Sequence, residues 1–261
     1  MLQFSIVEQV ILAVFLLSGI AFFLHHLLLR LKIVLKGKSD FSVDELPKRI
    51  IRVFDEVILH KKVVSGDRKS AGILHALVMY GFIFFGLITI NHFGMAFGFP
   101  IFSESFRHTY FLLFGAPWAI LCTIGILGLA YRRFVIKPEA LGKFSSTSAL
   151  VSVFIVTLMT TYLIDELHIL SGAAEKFNWW LHSGVIGGFL FLIPQSKHMH
   201  LVLSPFNIFL RPFEVPNHGA IPIDMEASEE ELDNLLLDLS RLSKDQALDI
   251  FTCVECGRCT E

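Results

Sequence analysis

Charge is the first scarcity in this sequence. Asp, Glu, Lys and Arg make up 18% of its 261 residues, against about a quarter in ordinary soluble domains. The formal net charge is −2, which argues against a nucleic-acid partner. Cysteine is scarce as well. There are four, and three of them crowd into the last nine residues, so no disulfide framework is open to the chain. Internal repeats and low-complexity segments are absent. The N-terminus has no basic n-region and no small-residue cleavage site, so a cleavable signal peptide is not expected.

Apolar residues fill the space that charge leaves. Hydrophobic residues reach 54%, mean hydropathy is +0.63, and Phe occurs 26 times. That composition excludes an ordinary soluble domain. A membrane-spanning helix needs roughly 20 mainly apolar residues, and five stretches qualify, at about 6–29, 72–99, 109–131, 148–170 and 179–203. The connection 30–70 holds eleven basic residues, and the loop after the third stretch holds Arg132, Arg133, Lys137 and Lys143. The other two loops hold Arg107 and Lys176. Because basic loops stay in the cytoplasm, the N-terminus is expected outside and the C-terminus in the cytoplasm.

Two further regions stand apart. In segment 42–62, Ser42 and Glu45 form a possible capping box, and Ile50, Ile51, Phe54, Val57 and Ile58 recur at helical spacing among basic residues. This reads either as an amphipathic helix on the cytoplasmic membrane surface or as a solvated helix packed on the bundle. After Pro205, the prolines 212, 216 and 222 punctuate a linker, and Ser228 with Glu231 and Ser243 with Gln246 mark two helix starts. The expected organisation is a transmembrane domain over 1–204, a linker over 205–227 and the start of a ferredoxin-type domain over 228–261.

The strongest chemical signal is Cys253-Val-Glu-Cys256-Gly-Arg-Cys259. Two-residue gaps wrap a short loop around one corner of a 4Fe–4S cubane, with one thiolate per iron. Half a zinc site is the alternative, with partners elsewhere. Thiolate ligands suit a reducing compartment, in agreement with a cytoplasmic C-terminus. The run stops two residues after Cys259, without a fourth ligand. The chain therefore reads as an N-terminal fragment, or as one whose cluster a partner completes, and is expected to hold little intact cluster by itself. On that reading Leu235, Leu236, Leu239, Leu242, Leu248 and Phe251 should lack a proper core. Cys122, in an apolar run, reads as a buried free thiol.

Histidines inside the spans are the second signal, since ionisable groups at membrane depth are functional candidates. His75 and His92 lie on the second stretch, and His182, His198 and His200 on the fifth. At about 1.5 Å per residue, His75 and His92 stand roughly 26 Å apart, and His182 and His200 roughly 27 Å. Antiparallel helices with this spacing would seat two b-type haems, one near each membrane face. Eighteen residues at about 100° return to one face, which joins His182 with His200 and turns His198 away. His92 lies about 100° from His75 and is the weakest ligand, with His168 as its substitute. His25, His26, His60, His108 and His218 read as interfacial residues. Asp165 and Glu166, at the outer end of the fourth stretch, are candidate proton acceptors for quinol oxidation, or plain helix-end charges.

These residues carry a resemblance. Gly72-Ile-Leu-His75, the Arg132-Arg133 turn, Trp180-Leu-His182, Ile193-Pro194-Gln-Ser-Lys197-His-Met-His200, Ser204-Pro205-Phe-Asn207 and the final cysteine run resemble membrane-bound iron–sulfur oxidoreductases of the heterodisulfide-reductase-related type. The N-terminal part is similar to the gamma (cytochrome b) subunit of nitrate reductase. The resemblance implies an all-α membrane bundle of five helices with a truncated cytoplasmic ferredoxin-like tail, in the cytoplasmic membrane of a prokaryote. It also implies haem b, a 4Fe–4S cluster in the complete protein, and menaquinone or another quinone as substrate. Electron-transfer flavoprotein or an iron–sulfur protein would be the cytoplasmic partner. Two rivals remain at this point: a proton-coupled transporter without haem, and a passive membrane anchor for a soluble redox partner.

Overall fold

The computed structural model describes residues 2–38, 43–65, 68–213 and 242–254. Among them there are helices and no strands. The main elements are α1 (Ile6–Val34), α2 (Leu46–Val53), α3 (Lys69–Ala96), α4 (Glu104–Ile136), α5 (Ser146–Glu166), α6 (Ala173–Leu192), α7 (His200–Leu210) and α8 (Lys244–Thr252). Helix α4 contains two π-helical turns, Phe111–Gly115 and Arg132–Ile136.

Four helices, α1, α3, α4 and α5, are long and apolar enough to cross a membrane. They are compatible with a multi-pass membrane protein. Their surfaces fit that medium: Val14 and Leu17 on α1, Phe82 on α3 and Leu127 on α4 are each more than half exposed.

The fifth predicted stretch does not run as one helix. Helix α6 stops at Leu192, a 3-10 turn follows over Ile193–Gln195, Ser196 is extended, and α7 begins at His200. The cause is local. Pro194 has no N–H to donate and its ring clashes with the preceding turn, while the Ser196 hydroxyl accepts from the His198 N–H and starts a new turn. His182 and His200 therefore lie on separate helices, and the helical phase that joined them is lost.

The chain divides into two compact units. The first takes the described residues of Met1–Ala21 and Val63–Phe191, and the second those of Phe22–Lys62 and Leu192–Cys256. In the first unit α3 and α4 pack most closely. A Cβ on Gly125 would lie 2.7 Å from the Leu74 carbonyl oxygen, and one on Gly128 2.8 Å from the Leu74 side chain. Small residues that let backbones touch are the usual means of joining helices in lipid, where no hydrophobic force drives them together. Gly125→Ala is expected to push the two helices apart at a cost of about 1–3 kcal/mol, read as a lower unfolding midpoint in detergent. An unchanged midpoint would show that this contact is looser than its geometry.

In the second unit, Val34, Met199, Leu203, Ala247 and Leu248 form a small core, with Leu27, Ile193 and Phe251 packed against it. Helix α8 opens on a full capping box: the Ser243 hydroxyl accepts from the Gln246 N–H, and the Gln246 side chain accepts from the Ser243 N–H. This corrects the expectation for two residues. Leu248 is only 3% exposed and Phe251 is packed on the core, because α1 and α7 supply the apolar surface that the tail was expected to lack. Leu235, Leu236 and Leu239, and the predicted start at Ser228, lie outside the described residues. Helix α2 also starts later than its predicted box: Glu45 is the N-cap, in left-handed conformation and without a side-chain cap bond.

Candidate functional site

A cavity of about 330 Å³ lies within the first unit, between α3, α4, α5 and α6. That is the small end of the range for ligand sites. Its walls bring together His92, Arg107, Asp165, Glu166, His168 and His182. The sequence placed these groups on three different stretches and one loop.

The imidazoles meet near its floor. The His92 and His182 ring centroids are 5.0 Å apart at 57°, and His92 stacks on Trp179 at 4.7 Å and 14°. Each histidine is held by a hydroxyl from another helix. The His92 Nε2 lies 2.9 Å from Ser183 Oγ, and the His182 Nδ1 lies 2.7 Å from Thr161 Oγ1. Thr161 fixes a tautomer. Its hydroxyl donates to the Thr157 carbonyl at 2.7 Å, so the same oxygen accepts the proton of His182 Nδ1–H. The Nε2 lone pair of His182 is then the one presented to a ligand, the form in which imidazole binds metal. Asn178 donates to the Thr161 carbonyl at 2.9 Å and ties α6 to α5 beside this bond.

A haem iron can be tested against these groups. His182 fits an axial ligand, because its distal nitrogen is committed to Thr161 and its proximal one is not a donor. His92 fits less well as it stands. Two imidazoles on opposite faces of one iron, each with a ~2 Å bond, hold their centroids roughly 6 Å apart, and 5.0 Å is short of that. The Nε2 of His92 is also engaged by Ser183. His168 is a further imidazole on the cavity wall. It has φ 51° at the end of α5, a left-handed position that Gly usually fills.

The carboxylates form the rim. Glu166 Oε1 lies 3.9 Å from Arg107 Nε, with side-chain exposures of 10% and 27%. Asp165 lines the same cavity one residue earlier. Across it, Asn91 accepts the backbone N–H groups of Ile101 and Phe102, both at 2.9 Å, and holds the α3–α4 connection over the site. Tyr162 is buried at 5% and its hydroxyl is seated against Gly115, where a Cβ has no room. The π turn at Phe111–Gly115 gives the backbone that shape.

The remaining predicted residues are placed elsewhere. His75 lies in the first turns of α3 and belongs to the first unit; His200 opens α7 and belongs to the second. The His200 Nδ1 sits 2.8 Å from the Lys197 carbonyl. Cys253 follows α8 and is exposed; Cys256 and Cys259 lie outside the described residues. Among the described residues, no group of three or more His, Cys, Asp or Glu is placed to hold a metal ion. Thr161, Ser183 and Trp179 escaped the sequence reading. The only signal for Thr161 was its place one turn before Asp165.

A protein whose described residues are helical, with membrane-length helices and a buried imidazole and carboxylate site, is the class these features define. The comparisons narrow it. The chain is 30% identical over 273 residues to the probable iron–sulfur-binding oxidoreductase FadF of Bacillus subtilis, covering 88% of this chain and 36% of that protein. It is 23% identical over 293 residues to the EtfAB:quinone oxidoreductase of Syntrophomonas wolfei, covering 95% of this chain and 39% of that protein. These matches support a relationship to iron–sulfur oxidoreductases. The chain spans a little over a third of the length of these curated relatives. No family model matches the chain, and no solved structure matches it.

Proposed function

We propose that this chain is the membrane part of an iron–sulfur oxidoreductase and passes electrons between quinone in the bilayer and a cytoplasmic redox partner. The observation that carries the reading is the cavity that joins His92 and His182 with Asp165 and Glu166 among membrane-length helices. In full, the proposal keeps five spans, the N-terminus outside and the cytoplasmic membrane of a prokaryote. Helix α6 supplies the fifth span although its first turns carry Glu175, Lys176 and Asn178. It also keeps the gamma-subunit type of bundle, haem b and a 4Fe–4S domain from about residue 228 with Cys253, Cys256 and Cys259 as ligands. The partner is electron-transfer flavoprotein, as the name of the Syntrophomonas relative suggests, or an iron–sulfur protein.

His182, with His92 or His168, would hold a haem at the cavity, and His75 and His200 are further candidate haem ligands. Bound haem supplies one-electron chemistry at each site. The chain's own residues do the rest. Oxidation of a quinol to a quinone gives up two electrons and two protons. Asp165 and Glu166 receive the protons at the cavity rim, and Arg107 balances the carboxylate charge there. In the opposite direction the same carboxylates return protons to the quinone. Thr161 holds His182 in one tautomer throughout.

The test is quinol-driven reduction in proteoliposomes. Paired Asp165→Asn and Glu166→Gln should slow it by roughly 100- to 10,000-fold, the scale of lost acid–base assistance. Reduction by dithionite and the absorption spectrum should stay unchanged. A double variant as fast as the parent with quinol would show these carboxylates to be helix-end charges only.

A further inference from the structure

Helix α2 is built inside out. On the exposed arc, Leu46 is 51% exposed, Ile50 56%, Ile51 60% and Phe54 52%. At about 100° per residue these four fall within roughly 140° of one another. The opposite side is polar and packed inward. Arg49 is 2% exposed and donates to the carbonyls of Asp44, Phe209 and Arg211 at 2.7, 2.8 and 3.2 Å. Arg52 also donates to the Arg211 carbonyl and lies 3.7 Å over the Phe213 ring. Arg211 pairs in turn with Glu56. A helix facing water would show the reverse pattern. Its rotation is fixed by these bonds, so the apolar arc is not free to turn inward.

We propose that α2 and the turn after it, through Ile58, form a membrane-interface element whose apolar arc lies at the boundary of lipid headgroups and acyl chains. The occupant is the bilayer itself, and the place of α2 in the chain supports it. Helix α1 ends at Val34 and α3 begins at Lys69, so α2 lies in a connection between two consecutive spans and is tethered at one membrane face by both ends. The Lys48 and Lys61 side chains, paired with Glu45 and Asp55 and still 69% and 60% exposed, supply cations on and just after α2, as helices that lie in the interface do. Ile58 and Leu59, 38% and 43% exposed, continue the apolar surface beyond α2. The element also grips the last carbonyls of α7, so its seat in the lipid fixes the level at which the chain leaves α7. The proposal rests on the membrane reading, and its test separates the two.

The experiment places p-benzoylphenylalanine at Ile51, Phe54, Lys61 or Phe82 of the full chain in phosphatidylglycerol and phosphatidylethanolamine nanodiscs. Illumination is followed by mass analysis of adducts. Phe82, 55% exposed on α3, reports lipid contact of a spanning helix. Lipid adducts at 51 and 54 should approach the yield at 82 and exceed that at 61 by roughly tenfold, as expected for an apolar face seated below a charged one. Adducts at 82 with none at 51 and 54, or protein–protein adducts at 51 and 54, would overturn the proposal and leave the membrane reading standing. No lipid adduct at any site, 82 included, would overturn both.

Discussion

Arg49→Met should destabilise the second unit by about 3 kcal/mol or more, the scale of breaking a buried charged network. Met keeps the apolar stem of the side chain and stops short of the guanidinium. What disappears is a set of donors. Phe209 and Arg211 stand at the end of α7, where helical carbonyls have no partner within the helix. Arg49 satisfies both and adds the carbonyl of Asp44. Each buried acceptor left without a donor costs about 1–3 kcal/mol. Arg52 cannot compensate in full, because its bond already goes to Arg211. Burial, with Arg211 and then Arg49 nearby, lowers the pKa of Arg52 from its ordinary value, a sign that this corner gains nothing from further positive charge. Arg49→Lys should recover only part of the loss, since one ammonium cannot span three carbonyls with the reach of a guanidinium fork. Thermal unfolding in detergent and limited proteolysis measure this directly. A variant as stable and as resistant as the parent would show that the buried guanidinium does not hold α2 to α7.

The long apolar helices were the legible part of the fold. Length and hydropathy suffice to mark α1, α3, α4 and α5, because every backbone polar group in lipid must be satisfied within its own helix. The break at Pro194 was visible as a residue, but its consequence was not. A proline inside an apolar run either kinks or ends a helix, and the Ser196 cap that ends this one forms only in the folded backbone. The inward turn of Arg49 was equally hidden. A helical period shows that two faces differ; it does not say which one meets the protein.

At the site, the residue types were legible and the pairing was not. His92, His182, Asp165 and Glu166 stood out because ionisable groups are rare at membrane depth. Their meeting in one cavity depends on how α3, α5 and α6 approach, which no single helix encodes. Thr161 and Ser183 were invisible because a hydroxyl in an apolar helix ordinarily bonds back to its own turn. Here Thr161 does so and accepts from His182 as well.

The second large effect belongs to His182. Its Nδ1 proton is held by Thr161, its Nε2 lone pair is left for a ligand, and it lines the cavity beside the carboxylates. His92 does not replace it as it stands, since its Nε2 is already bonded to Ser183. On the proposed reading, His182→Leu should therefore abolish haem binding at the cavity while leaving any haem bound elsewhere in the chain. The helix itself should survive, because Leu is a good helix former. The decisive measurement is the dithionite-reduced minus oxidised absorption spectrum of the purified chain, with haem quantified per polypeptide, for the parent and for His182→Leu. Sharp b-type bands in the parent, with less haem per polypeptide in the variant, are the result expected. A parent protein with no b-type bands at all, or a variant with its haem content unchanged, would contradict the assignment of this cavity to electron transfer through haem.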